Sequence, residues 1–355
     1  VSEMGRFEEF LRLGNYRGAF AEALKERDPL KRIALTVEVI SRSYREDFIP
    51  PLLEMLREVK GLKEKAVAES YVGMAFYALE LEKEGEEHFG RAFEYLERIS
   101  SPMVRAGVLR VIGNTLVLSG RYSDGLRAFE RAFDILQSGR ALYSEVVSEM
   151  VRLARDIEHS AEEIPNEKAI DFYRLARGVY EALGFKLQAK EIDNKIELAS
   201  EVFRRGSLAV TELLERGEAA TALQMARFLP PVDRAITMLN VSYWLFIHDM
   251  NDLARTVFED TTEMLLVGKF PAGERELEAV AYKFLRIGKA KEALILAGLL
   301  RDERRVSELL GEIAIFHARR GNVDEAMTLA NRIGDILIKD KVIKAIKEIR
   351  GMQEK

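Results

Sequence analysis

A chain of 355 residues, 48% hydrophobic and 32% charged, has neither a disordered nor a membrane composition and is long enough for a large core or two domains. It contains no cysteine, which excludes disulfides, thiolate nucleophiles and cysteine-held zinc or iron–sulfur sites. A net charge of -5 and a pI near 5.7 argue against a general nucleic-acid binder, which needs a basic footprint.

The first residues, 1–27, read as a short helical pair, FEEFLRLGNYRGAFAEAL. No basic-then-apolar leader precedes that pair, so an intracellular, cytoplasmic protein is expected. Pro29 opens the next helix at a position where a missing N–H costs nothing, and that helix runs to about Tyr44. Pro50 and Pro51 fit the first turn of the following one, which ends near Gly61. A pair then spans Leu62 to Ile99, and Ser100-Ser101-Pro102 caps the start of the central unit.

The central unit, GNTLVLSGRYSDGLRAFERAFDIL from Gly113 to Leu136, is a helix–turn–helix with a small-residue seam. Gly113 lets two helices approach, Gly120 closes the first helix, and Gly125, Phe129 and Ala132 share one face of the second. Such a unit cannot bury its apolar face alone and requires copies on either side. A glycine followed five residues later by Ala or Gly recurs at Gly14/Ala19, Gly85/Gly90, Gly120/Gly125, Gly217/Ala222, Gly288/Ala293 and Gly321/Ala326. Looser versions fall at Ile164/Ala169, Gly184/Ala189 and Asp249/Ala254, and several neighbours lie roughly 32 to 39 residues apart, the spacing of helical-pair arrays.

After Gly139 the spacing lengthens. Helices are expected over Ala141–His159, Asn166–Leu183 and Lys186–Phe203, the last without a partner in its own unit. Arg204-Arg205-Gly206-Ser207 breaks the pattern. The organisation read from this is an array over 1–205 and a second array of shorter hairpins over 206–355, ending in a capping helix whose polar face carries Lys339, Lys341, Lys344 and Lys347. Apolar residues recur at helical spacing throughout and no strand is evident, so the fold class is all-α, a right-handed α-α superhelix or solenoid of helical hairpins.

Residues 113–136 resemble a tetratricopeptide repeat. Gly113, Gly120, Tyr122, Gly125, Phe129 and Ala132 stand where that family has Gly, Gly, Tyr, Ala, an aromatic and Ala, while Leu109 and Gln137 replace its Trp and closing Pro. The likeness extends to residues 14–24 and 69–98, and after Ser207 the Gly-to-Ala spacing and phrases such as GNVDEAMTLA carry it. The resemblance implies that the first helix of each unit lines a binding face, with the residues six and ten before the closing glycine pointing into it. In the central unit these are Asn114 and Arg110, the residue types with which clamp members of the family hold a peptide carboxylate. The matching positions before Gly85, Ala75 and Leu79, break such a clamp. In the second half the same mapping brings Leu239, Tyr243 and Phe246 onto one face, with Tyr282 and Leu285 in the next unit and Ile315 beyond. That is an apolar strip suited to an amphipathic helix, although helical spacing alone favours core packing for such residues.

Catalytic motifs are missing. His88, His159, His248 and His317 fall in separate units without an HExxH pattern and read as surface or half-buried residues. The Gly268–Gly273 stretch lacks the Gly-Lys-Ser/Thr ending of a phosphate loop. Glu86-Glu87 and Glu162-Glu163 are expected at helix starts, where negative charge meets the dipole. Trp244, on the most apolar helix, suits core or self-association. The chain therefore reads as a scaffold or adaptor that binds a protein or peptide partner, without cofactor, metal or enzymatic activity. An enzyme with residues converging in the superhelix hollow, an RNA-binding repeat protein and a homodimer remain alternatives. The cysteine-free, Glu-, Lys- and Arg-rich composition fits a thermophile.

Overall fold

The computed structural model describes residues 3–138, 143–268 and 272–355, with side chains from residue 5 onward. The spacing change at Gly139, the expected helix start at Ala141 and Lys269, Phe270 and Pro271 of the Gly268–Gly273 stretch lie outside the described residues. Among the described residues every regular element is helical, and none is long and apolar enough to cross a membrane.

The chain divides into two compact units, Val1–Glu197 and Leu198–Lys355. In the first, consecutive helices pair as hairpins: α1 (Glu3–Arg12) with α2 (Tyr16–Leu24), α3 (Pro29–Ser43) with α4 (Ile49–Glu58), and α5 (Leu62–Ala78) with α6 (Glu82–Glu97). They continue as α7 (Pro102–Leu118) with α8 (Tyr122–Ser138) and α9 (Tyr143–Glu162) with α10 (Lys168–Leu183). The first helices α3, α5, α7 and α9 pack side by side in one row. The division falls within α11 (Lys186–Arg205). Ion pairs join α11 to the preceding hairpin, Arg177 Nε–Asp193 Oδ1 at 2.9 Å to α10 and Lys195 Nζ–Glu158 Oε1 at 3.4 Å to α9.

The second unit repeats the scheme with α12 (Ser207–Glu215) and α13 (Ala219–Ala226), then α14 (Pro231–Ile247) and α15 (Asn251–Leu266). After them come α16 (Glu274–Arg286) and α17 (Ala290–Ala297), α18 (Glu303–Arg319) and α19 (Val323–Asn331), and the terminal α20 (Ile336–Gln353). Its row of first helices is α12, α14, α16, α18 and α20.

Local chemistry explains these boundaries. Asp28 and Ser101 accept backbone N–H bonds from Leu30 and Val104, capping helices that open on Pro29 and Pro102. Most hairpins then turn through one residue of left-handed backbone: Gly14, Glu80, Gly120, Gly217, Asp249, Gly288 and Gly321. The following N–H reaches back to the carbonyl five residues earlier, as in Arg121 to Leu116 at 2.8 Å and Lys289 to Phe284 at 2.9 Å, so the last turn of each first helix is satisfied.

The α5–α6 hairpin corrects the register read from sequence. Gly85 does not close a helix; it lies inside α6, and the turn residue is Glu80 at φ 61°. Gly85 therefore occupies the small seat that Gly125 occupies in the next hairpin. In that hairpin a Cβ on Gly125 would stand 2.8 Å from Val117 Cγ2 and 3.0 Å from the Gly113 carbonyl oxygen. A Cβ on Gly113 would meet the fully buried Phe129 ring at 2.9 Å, so the two helices approach as closely as the missing side chains allow.

Two other expectations change. Glu162 ends α9 rather than starting a helix, so Glu162-Glu163 faces the negative end of the dipole. His88 is buried, not superficial, with Nδ1 2.6 Å from Glu69 Oε2 and its ring stacked on Phe76.

Candidate functional site

Because each turn residue fixes the phase of its hairpin, equivalent positions can be compared by counting from it. Six residues before the turn stand Met74 and Asn114 in the first unit, and Thr211, Tyr243, Tyr282 and Ile315 in the second. All lie in the rows of first helices.

In the first unit this face is closed upon itself. Arg110 Nη1 lies 2.6 Å from Asp156 Oδ2 and Nε 3.8 Å from Glu149 Oε2, both on α9. Asn114 Oδ1 accepts from Ser160 Oγ at 3.2 Å. The two residues of the carboxylate-clamp pattern thus stitch α7 to α9, and two protein carboxylates already occupy the guanidinium. With the α5–α6 turn at Glu80, the matching residues on α5 are Ser70 and Met74 instead of Ala75 and Leu79. Ser70 Oγ donates to the Val67 carbonyl at 2.7 Å, so no clamp extends to that helix.

The second unit separates the six residues of its apolar strip. Leu239 and Phe246, seven apart and so on one helical line, are buried; Phe246 packs edge-on against Phe284 at 6.0 Å. They belong to the core and have no groove surface to offer. Tyr243 shares that face but is only half-buried, edge-on to the same Phe284 ring, and Lys283 bridges its ring at 5.6 Å and Asn240 Oδ1 at 3.2 Å. Trp244 is half-buried rather than core, with its indole stacked on His248 at 3.8 Å.

Tyr282 and Ile315 do come together. With Ile338, Lys341 and Val342 of α20 they line an open cleft of about 420 Å³ in the row formed by α16, α18 and α20. Glu308 and Glu312 stand at its edge. Burial, with the neighbouring carboxylates of Glu278, Glu312 and Glu308 behind it, pushes the Tyr282 hydroxyl up to about 12. Glu308 is bonded to Arg304 and Glu278 to Arg305, whereas Glu312 has no ion-pair partner among the described residues. The cleft therefore joins the apolar side chains of Ile315, Ile338 and Val342 to the unpaired carboxylate of Glu312, the Arg304-bonded Glu308 and the ammonium of Lys341. The contribution of α20 was not legible as a motif, because the chain's last helix reads from its lysines as a cap. Among the described residues no group of three His, Cys, Asp or Glu could hold a metal.

No protein-family model and no curated protein matches the chain. Among solved structures it is similar to Ton1535 from Thermococcus onnurineus NA1, at 23% identity and TM-score 0.56 over 98% of this chain and 99% of that one. NprR in complex with its cognate peptide NprX (13% identity, TM-score 0.27, 95% and 84% covered) and yeast Tom70 (13%, 0.21, 99% and 89%) superpose too loosely to carry an argument. The likeness to Ton1535 concerns fold alone, and with the hairpin geometry it gives the conclusion that this chain has an all-α fold of stacked helical hairpins.

Proposed function

We propose that the chain is a protein-interaction scaffold whose second unit docks an amphipathic helix or peptide of a partner protein along α16, α18 and α20. The supporting observation is the cleft in which Tyr282, Ile315, Ile338 and Val342 form an apolar floor beside Glu308 and Glu312. A preformed groove of this kind takes apolar side chains at helical spacing, and the carboxylates select a basic flank on the visitor. The same carboxylates repel a phosphate backbone, which disfavours nucleic acid on this face. Tyrosine at the centre supplies a rigid amphipathic anchor at small entropic cost. No cofactor enters this reading.

The test is affinity capture from source lysate with the parent chain, a Tyr243→Glu/Tyr282→Glu variant and an Arg110→Glu variant. A protein retained by the parent and by Arg110→Glu, lost from the tyrosine variant, and competed by a lysine-flanked but not a glutamate-flanked amphipathic peptide is the expected result. Equal retention by all three, or retention of nucleic acid alone, overturns the proposal.

A further inference from the structure

The turn residue also sets the phase of a second kind of cleft, formed where the second helix of one hairpin meets the turn of the next. One such cleft, of about 580 Å³, lies at the α7–α8 turn and includes Glu86 and Phe89 of α6, Arg121, and Asp124, Arg127 and Arg131 of α8. Another, of about 610 Å³, lies at the α16–α17 turn and includes Arg255, Phe258 and Glu259 of α15, with Lys289 and Glu292. The two correspond position by position. Arg121 and Lys289 each follow the left-handed glycine, Glu86 and Arg255 each lie six residues after the preceding turn residue, and Phe89 and Phe258 each lie nine after it.

Their electrostatics differ. In the first cleft every arginine is answered: Arg121 by Asp124, by Glu86 at 3.2 Å and by the Tyr77 hydroxyl, Arg127 by Asp124, and Arg131 by Glu97 at 2.5 Å. In the second, the position of Glu86 is taken by Arg255, so the counter-ion is replaced by another cation. Lys289, Lys291 and Arg320 all line this cleft, and none of them has an ion-pair partner among the described residues. Lys289 and Arg320 are instead held over aromatic faces, Lys289 Nζ 4.6 Å from the Phe246 centroid and the Arg320 guanidinium 4.4 Å from that of Phe316. A ring face fixes a cation in place while leaving its charge uncancelled. Arg255 stands 3.7 Å from the exposed Asp252 carboxylate, so the three cations without an ion-pair partner, Lys289, Lys291 and Arg320, share the cleft with the carboxylates of Glu259 and Glu292 and with Arg255 itself. At the same wall His317 Nδ1 is buried without a hydrogen bond, Glu325 Oε2 standing 3.7 Å away.

From this geometry we infer that the α15–α17–α18 cleft binds a phosphate-bearing small molecule. Arg255, Lys289 and Arg320 engage its phosphate oxygens, while Ile295 and the Phe316 ring edge meet its organic part. The volume is that of a small-ligand site, and charge-assisted bonds from guanidinium and ammonium suit multiply charged phosphate oxygens. The ligand needs no general basic surface, which agrees with a chain whose net charge is -5.

Isothermal titration of the full chain with pyrophosphate, at constant ionic strength set with potassium chloride, tests the inference. Binding is expected for the parent, about tenfold weaker for Lys289→Gln or Arg320→Gln, the loss of one charge-assisted bond. Arg255→Glu, which installs the counter-ion found in the first cleft, is expected to abolish it, and Lys347→Gln, far along α20, to leave it unchanged. Absence of parental binding, equal binding by Lys289→Gln, Arg320→Gln and Arg255→Glu, or binding of pentaglutamate in place of pyrophosphate overturns the inference. Circular-dichroism melts of each variant separate lost binding from lost fold.

Discussion

The clefts at the α7–α8 and α16–α17 turns share a backbone frame and differ in how their charges are answered. In the first, Asp124 accepts from both Arg121 and Arg127, and Glu86 approaches Arg121 across the hairpin boundary. In the second, Arg255 replaces that glutamate, and aromatic faces hold Lys289 and Arg320. A repeat fold makes such divergence cheap, because the turn and its backbone bonds fix position while the side chains stay free to change. The first cleft serves cohesion between neighbouring hairpins. The second retains uncancelled charge that cohesion does not require.

The largest expected effect breaks the frame itself. Gly113 lies seven residues before its turn, where the second unit has the buried Ala281, and the facing bulk in the first unit comes from Phe129. Gly113→Leu forces a side chain into that ring and is expected to cost about 3 kcal/mol or more, combining overpacking with displacement of a buried aromatic. Calorimetry should show the loss in the first unit, while Trp244 fluorescence, from the one tryptophan and in the second, keeps its transition. Equal loss by both probes would mean that the two units unfold as one.

How far the sequence carried these conclusions depends on the interaction concerned. The seam at Gly113, Gly125 and Phe129 was legible because a missing side chain leaves a local pattern, and the turns at Gly120, Gly288 and Gly321 were legible because left-handed backbone favours glycine. Glu80 defeated the same logic: it adopts φ 61° without being glycine, so the motif slipped to Gly85 and the clamp positions slipped with it. Leu239 and Phe246 share a helix face with Tyr243, and spacing does not tell which residues of one face the neighbouring helices seal and which stay half-open. Arg110 and Asn114 pair with Asp156 and Ser160, and the hairpin containing those two lies where the sequence left helix pairing open. The α16–α17 cleft was invisible for a related reason: its character comes from pairs that are not made, which appear only when two hairpins are compared side by side.

A smaller effect sharpens the comparison by transplanting one cleft's charge into the other. Glu86→Arg recreates in the first cleft the residue that Arg255 supplies in the second, leaving Arg121, Arg127, Arg131 and the new arginine around Asp124. The exposed Arg121–Glu86 pair contributes little by itself, so stability should change by no more than about 1 kcal/mol. Pyrophosphate affinity of the double variant Glu86→Arg/Arg255→Glu should then depend on Arg121 in place of Lys289. If the double variant binds no pyrophosphate, charge is not what separates the two clefts.

The smallest effect is a difference in acid sensitivity. Burial pushes the Asp124 carboxyl up, but hydrogen bonds from Arg127 and Arg121 outweigh it and hold the group below its usual range. A carboxylate with a depressed folded-state pKa adds stability that is present above the unfolded value, about 3.9, and is lost as pH falls through the folded value. The first unit should therefore lose stability on acidification below about pH 4 more steeply than its Asp124→Asn variant, which begins weaker and has no such proton to take up. The second cleft has no carboxylate in this position of double acceptance: Glu292, four residues after its turn glycine as Asp124 is after its own, has no ion-pair partner among the described residues. Circular-dichroism melts of the parent and Asp124→Asn across the acid range are the readout, and superimposable acid limbs would mean that the double acceptance by Asp124 adds nothing.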